Sequence, residues 1–441
     1  MTCIGASQGM VLVKDFMSHV EALSELLPDA QHAINLCENR YLFLLSLCAC
    51  ALRGQTNLMP SNKNVSTQEA LSKNYIDSYI IHDGTAEIAE LDNLDIRSCD
   101  LTPADANMAP IGKSNAMIAN IPLDHLAAIC FTSGSTGETK PNPKTWRTLL
   151  ESTAINSRYM LPNQTQTFYH LATVPGQHMW GFETSVLMAL FAKVCMVDAR
   201  PSFPQDICTI LQNLPEPRTI IATPLHLRAL ATSPLRLGAL ARVLCATAPL
   251  SQELACEIEQ KFDTTVCEVY GCSEVGSMAI RQPANSVRWR KFYGIDYKQL
   301  ASGKVLASTN YLPEAVQLDD AIEMHDGKYF SLRGRVSDQI KIAGKRGSLH
   351  EVNRVLQSFD GLEDGMVFFP EQDHPIPRLV ALVALREGVD KKQLRIHFQK
   401  YLDSAFVPRP ILEVPQLPRE ESGKLKNSRL LELYKSCLSK N

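Results

Sequence analysis

Apolar residues in this chain fall into two patterns. Short runs that are apolar at successive positions, HLAAICF (125–131), KVCMVDA (193–199), TIIATP (219–224) and ARVLCATA (241–248), read as strands buried on both faces. Between them, TWRTLLESTAINSRYM (145–160), DICTILQNL (206–214) and SQELACEIEQKF (251–262) carry the three-to-four spacing of amphipathic helices. Alternation of the two predicts an α/β architecture with stacked, mostly parallel sheets. After about Tyr293 the strands shorten and alternate, as in KVLAST and KYFSLRGR, and from Val336 onward the pattern is that of a small α+β unit. The longest apolar run, YLFLLSLCACAL (41–52), falls short of the ~18 residues a bilayer span needs and reads as a buried helix.

The 441 residues suffice for two or three domains with cores of their own. A net charge of -3 excludes a protein that works mainly by neutralising nucleic-acid phosphates. Residues 336–441 carry 17 Lys and Arg against 14 Asp and Glu, while the rest of the chain is net acidic. A basic small domain meeting an anionic ligand and a chance surface imbalance both fit that split. None of the thirteen cysteines forms a CxxC pair, and most sit in apolar runs, which predicts reduced, buried thiols. The first residues, MTCIGASQGMVLVKDF, lack the basic and apolar regions of a secretion signal, so a cytoplasmic protein without membrane insertion is expected.

The strongest chemical signal is TSGSTGETK (132–140), directly after HLAAICF. Small and hydroxyl-bearing residues let a backbone wrap phosphate oxygens and present N–H and O–H donors, and Lys140 adds a point charge. The order of residues is not that of a Walker A loop.

With FTSGSTGETK, the chain resembles the adenylate-forming superfamily of acyl-CoA synthetases, aryl-acid ligases, luciferases and peptide-synthetase adenylation domains, whose loop reads [YF]TSGSTGxPK; Thr139 replaces the proline. VYGCSEVG (269–276) is similar to the family's YGxTE motif, GRVSDQIKIAGKRGSLHEVN (334–353) to its GRxxDxIKxxG segment and LPREESGKLKNSRL (417–430) to its LPRTxxGKxxR segment. The resemblance implies a large N-terminal adenylate-forming domain, residues 1–335, and a small mobile C-terminal domain, residues 336–441, hinged at Ser337. It also implies ATP and Mg²⁺. Thr132, Ser133, Gly134, Ser135, Thr136, Gly137 and Lys140 would bind the phosphates, with Glu274 and Thr136 on the metal. Tyr270 would offer a flat face to adenine and Ser273 a hydroxyl to the α-phosphate, although core packing also accounts for Tyr270. Ala248 lies in the adenine-contact turn. Asp320, fifteen positions before Arg335, would accept from the ribose opposite that arginine, although the family's TGD motif is here Leu318-Asp319-Asp320. Lys424 corresponds to the lysine of adenylation; Lys341 and Gly344 lie on the segment facing the thioester-forming state, with Gly344 in the thiol channel.

GQHMWGFETSVLMAL (176–190) fits the ligases' HxxG pattern followed by an apolar helix. By the resemblance, His178, Trp180, Gly181, Thr247, Gly271, Cys272 and Val275 line the acid pocket; a helix start with a packed tryptophan is the other reading of 178–181. Amino-acid-activating relatives place an aspartate where Trp180 falls, and an indole cannot pair with an ammonium. Aromatic or medium-sized carboxylic acids are therefore expected. The N-terminal part resembles the compact ligases of aryl-polyene-type pathways, whose acceptor is CoA or the phosphopantetheine arm of an acyl carrier protein. An adenylate passed to a non-thiol acceptor, or a non-catalytic acyl- or nucleotide-binding relative, are the competing readings.

Overall fold

The computed structural model describes residues 2–5, 9–101, 120–133, 139–301, 303–335, 339–342, 345–370, 378–420 and 425–439. The chain packs as two units: Met1–Ala222 with Leu235–Leu244 and Gly271–Met278, and Thr223–Pro234 with Cys245–Tyr270 and Ala279–Asn441.

In the first unit, six strands form a sheet in the order Asn93–Asp95, Ser78–His82, His32–Asn35, Thr56–Met59, Leu126–Ser133, Thr139–Thr145. The first five are parallel and the last is antiparallel. That last strand, TKPNPKT, carries two prolines opposite Phe131 and Ile129, which only an edge strand accommodates. A second group, Arg218–Ala222, Phe168–Ala172, Val194–Val197 and Thr2–Gly5, is parallel throughout, and Gly9–Leu12 returns antiparallel. Every predicted strand and helix of the α/β pattern is present with bounds that agree within three residues, the largest difference being ARVLCATA, which pairs only over Arg242–Cys245.

Helix Arg40–Leu52 is buried on nearly every face, which is why its sequence is apolar without periodicity. Asn39 caps it, accepting from Leu42 N at 3.1 Å. At its start the buried Arg40 guanidinium donates to the carbonyls of Ala172, Val174 and Ala199, so one charge ties the helix to two loops. Among the described residues, no helix is long and apolar enough to cross a membrane, and the described cysteines are free thiols.

In the second unit, Trp289–Lys291, Tyr329–Arg335 and Asp320–Met324 run antiparallel. From residue 339 a hairpin, Gln339–Ile342 with Lys345–Ser348, precedes a three-stranded sheet of Leu362–Phe368, Val380–Leu385 and Ile411–Glu413. Helices Leu349–Gln357, Lys391–Tyr401 and Asn427–Leu438 accompany it. Two apolar clusters drawn wholly from residues 342–430, one around Val352, Leu394 and Phe398 and one around Phe368, Leu382 and Leu430, give this α+β segment a core of its own. Arg228 of the same unit donates to Leu362 O at 3.0 Å and Gln357 Oε1 at 2.9 Å.

His170, fully buried on Phe168–Ala172, pairs its Nδ1 with Thr184 O at 2.8 Å. Burial holds its pKa down to about 4, only partly opposed by that bond, so the ring is neutral in the fold. An unfolded histidine titrates near 6.5. Between about pH 6.5 and 4 the unfolded chain therefore takes up a proton that the folded chain refuses, and stability falls as pH drops through that window. His170→Asn, which keeps a donor for Thr184 O, should flatten the fall in denaturant midpoint between about pH 7 and 4.5. Parallel pH profiles for both proteins would refute the assignment.

Candidate active site

The strand Leu126–Ser133 brings the predicted phosphate segment to the end of a parallel sheet, and Thr139–Thr145 leads away from it. Asn142, buried, fastens the two: its Nδ2 donates to Cys130 O at 3.0 Å, Lys140 O at 3.2 Å and Thr132 Oγ1 at 3.4 Å. Gly134, Ser135, Thr136 and Gly137 lie outside the described residues, as does the side chain of Ser133.

Lys140 Nζ donates to Glu274 Oε1 at 3.0 Å, so two predicted site residues 134 positions apart are brought together. Burial is the strongest influence and would raise the Glu274 pKa, but the Lys140 bond and charge, the backbone N–H of Glu274 and the Cys272 thiol together turn the net shift downward. Glu274 sits in the turn between strands Val266–Cys272 and Gly276–Arg281, with Cys272 and Ser273 half-buried and Val275 in the core. Burial, and after it the Glu274 charge, push the Cys272 thiol up to about 12, which leaves it uncharged at neutral pH. Gly271, at the strand end, has the Gly276 carbonyl 2.3 Å from where a Cβ would stand.

Two charged residues behind this turn carry no motif. Lys144, 1% exposed, donates to Glu274 O at 2.7 Å. Glu183, 3% exposed, accepts from Ser277 N at 3.1 Å, Ser277 Oγ at 2.7 Å and Asn156 Nδ2 at 3.2 Å. Burial raises its pKa, opposed by the Ser277 and Asn156 bonds and the Lys144 charge. A lone Glu inside the apolar run WGFETSVLMAL was the available signal, since an acid in such a place needs partners.

The predicted acid-pocket segment begins at His178, half-buried at the start of the short helix Met179–Gly181, and continues as a π-helical turn, Phe182–Leu187. Such turns are uncommon and recur at functional sites. Trp180 is 8% exposed and its Nε1 donates to Ala222 O at 3.1 Å, which fixes the indole against the strand Arg218–Ala222. Gly181 has no alternative: a Cβ there would stand 2.0 Å from Pro175 O.

The nucleotide-side residues lie in the second unit. Tyr270 Oη donates to Asp320 Oδ2 at 2.8 Å, and its ring meets Trp289 at 5.8 Å and Phe330 at 5.9 Å. The ring is thus packed as the core reading expects, and its hydroxyl also bonds the predicted ribose carboxylate. Asp320 stands opposite Arg335 in the strand register. Ala248 is half-buried next to Thr247, whose φ of +83° is a rare conformation for a β-branched residue. The buried Thr247 Oγ1 has no partner among the described residues. Ser337, Gly344 and Lys424, and the side chains of Arg335 and Lys341, fall outside the described residues.

These features fit a nucleotide with Mg²⁺. The unpartnered Thr247 hydroxyl lies in the turn predicted to meet adenine, and the Glu274 carboxylate, its pKa shifted down, is a hard oxygen donor of the kind Mg²⁺ takes. Among the described residues there is no cluster of three metal-ligating side chains. Mg²⁺ does not require one, because it is bound through one or two carboxylates together with substrate phosphates.

Residues 27–306 match the family described as AMP-binding enzyme, and the chain belongs to that family. It is 22% identical over 315 residues to 3,4-dihydroxybenzoate--[aryl-carrier protein] ligase of Bacillus anthracis, covering 69% of this chain and 73% of that one. It is 26% identical over 332 residues to 4-coumarate--CoA ligase of Halorhodospira halophila, covering 71% and 79%. Of Surfactin synthase subunit 3 from Bacillus subtilis it spans only 8%. Among solved structures, ATP-bound MatB from Rhodopseudomonas palustris superposes with a TM-score of 0.80 at 16% identity, over 98% of this chain and 96% of that one. The anthranilate CoA ligase AuaEII in complex with anthranoyl-AMP gives 0.79 at 15% identity, over 100% and 95%. The fold is that of these adenylate-forming enzymes.

Gly181→Ala should destabilise the protein by about 3 kcal/mol, because the obstructing atom is a backbone carbonyl and not a side chain that can swing away. The denaturant midpoint measures this. A midpoint within experimental error of wild type would mean that the Pro175 loop yields freely.

Proposed function

We propose that the protein joins a carboxylic acid to a thiol at the expense of ATP. In the first step a carboxylate oxygen attacks the α-phosphorus, the bond to the β-phosphate oxygen breaks, and pyrophosphate leaves. In the second a thiol sulfur attacks the acyl carbon of the acyl-adenylate, loses its proton, and AMP leaves. The thiol belongs to CoA or to the phosphopantetheine arm of a carrier protein, and the acid is aromatic or of medium size. The observation that carries this reading is the Lys140–Glu274 pair at the end of the phosphate-segment strand. It supports the reading because a lysine suited to phosphate and a carboxylate with a lowered pKa, suited to a metal, stand 3.0 Å apart.

Each residue then has a task. The hydroxyls and amides of residues 132–137 receive the phosphates, and Lys140 turns from Glu274 toward them. Mg²⁺, held by Glu274 and Thr136, would offset charge on the departing pyrophosphate. Asp320 and Arg335 hold the ribose, and Tyr270 keeps Asp320 oriented through its 2.8 Å bond. His178, Trp180 and Gly181 bound the acid, with Thr247, Gly271, Cys272 and Val275 completing that pocket. Lys424 stabilises the charge of the first transition state. We read residues 1–335 and 336–441 as the bodies that turn about Ser337, bringing Lys341 and Gly344 to the thiol route for the second.

The primary test is AMP and pyrophosphate release from ATP with benzoic, hydroxycinnamic and straight-chain acids, with CoA and then with carrier protein. Acid-dependent release that needs one of the two thiols for turnover is expected; no acid dependence with any member of the panel would sink the reading. Trp180→Ala should shift selectivity toward bulkier acids by about tenfold or more while leaving the KM for ATP nearly unchanged. A uniform loss across acids would place the indole outside the pocket. Lys424→Ala should slow adenylation by about a hundredfold or more yet leave conversion of preformed adenylate near normal, and a bulky residue at Gly344 should do the reverse. Single-turnover rates for each half-reaction decide this, and parallel loss of both steps in both variants would contradict the assignment.

A further inference from the structure

Glu183 has no part in the chemistry above, yet it is buried with all the donors it needs. Placing a carboxylate in the interior costs several kcal/mol unless its oxygens are bonded and its charge is met. Here both conditions are met by the turn that carries Glu274. Ser277 gives Glu183 its backbone N–H and its hydroxyl, at 3.1 and 2.7 Å. Gly276, at a φ of +96°, leaves no space for a Cβ, which would stand 2.4 Å from Glu183 Oε1. On the other side the buried Lys144 ammonium grips the Glu274 carbonyl at 2.7 Å and acts electrostatically on Glu183.

We propose that Glu183 and Lys144 are positioning residues that fix the Glu274 turn for the divalent metal, an inference that rests on Glu274 as the metal carboxylate. The two side chains hold backbone atoms of the same turn, Lys144 at the carbonyl of Glu274 itself and Glu183 at the N–H of Ser277 three residues on. Both bond the main chain of the turn, while the Glu274 carboxylate takes Lys140 at 3.0 Å and a hydrogen bond from the Cys272 thiol. The carboxylate is thus left for the ligand while its main chain cannot drift. Outer partners of this kind tune metal affinity because they remove alternative orientations of the ligand.

The test is calorimetric binding of ATP, with no acid present, with and without Mg²⁺. In Glu183→Gln the tightening that Mg²⁺ produces should shrink by about tenfold, with metal-free ATP affinity and the circular dichroism spectrum unchanged. The apparent KM for Mg²⁺ should rise while that for the acid stays. Ser277→Ala, which removes only the hydroxyl contact, should act in the same direction by about threefold, and it decides the matter if Glu183→Gln does not fold. Glu274→Gln is the control. If it abolishes the metal response while folded Glu183→Gln and Ser277→Ala retain it, or lose metal-free and metal-bound affinity together, the positioning proposal fails alone. If Glu274→Gln keeps the full response, the metal assignment fails and the proposal with it.

Discussion

A lysine, Lys144, with 1% exposure dictates the arrangement around the Glu274 turn. An amine so deeply buried needs a hydrogen-bond acceptor and an opposing charge in place of the water it has lost. The Glu274 carbonyl is the acceptor and Glu183 the opposing charge. Satisfying one lysine therefore draws together the strand behind the phosphate segment, the turn behind Tyr270 and the π-helical turn after the acid segment. These are also the three segments to which the proposed function assigns phosphate, metal and acid.

The surroundings of Tyr270 use the same device with different chemistry. Glu268, 3% exposed, takes Arg281 Nε at 2.6 Å and Leu250 N at 2.9 Å. Burial raises the Glu268 pKa, and the Arg281 charge works against that rise. Arg281 then lies over the Trp289 ring at 4.7 Å, and Trp289 stacks on Phe330 at an interplanar angle of 15°. Tyr270 is wedged against both rings. With its ring immobilised, its hydroxyl can aim only along the direction that reaches Asp320. A buried ion pair thus sets the direction of an uncharged donor two layers away, and specificity of orientation is what such pairs supply best.

Much of this was legible in the residue pattern, for identifiable reasons. Buried parallel strands need apolar residues on both faces, so HLAAICF, KVCMVDA and TIIATP announce themselves. Asp320 was separable from Asp319 by its distance to Arg335, and strand pairing sets Asp320 and Arg335 side by side. The strand TKPNPKT was not legible, because two prolines argue against any strand except one at an edge, and edge position is a tertiary fact. Trp180 was legible as a residue of interest but not as a donor to Ala222 O, a contact that depends on how a helix and a distant strand approach. Lys144 and Glu183 went unseen for a related reason: motifs mark side chains that touch substrate, while positioning residues touch main chain.

Main-chain partners nonetheless leave a trace in composition. A carboxylate has about four lone-pair positions and no donors when ionised, so an acid inside an apolar run implies several N–H or O–H groups converging from elsewhere. Glu183 meets that demand with Ser277 N, Ser277 Oγ and Asn156 Nδ2, none nearer than 27 positions in the chain. Backbone N–H groups free to converge on a side chain occur where the chain leaves regular pairing, at turns and strand ends. The turn that carries Glu274, between Val266–Cys272 and Gly276–Arg281, is such a place. A buried acid therefore pairs naturally with a turn of this kind. The acid needs donors that the turn has unspent, and the turn needs an anchor that does not occupy its reacting side chain.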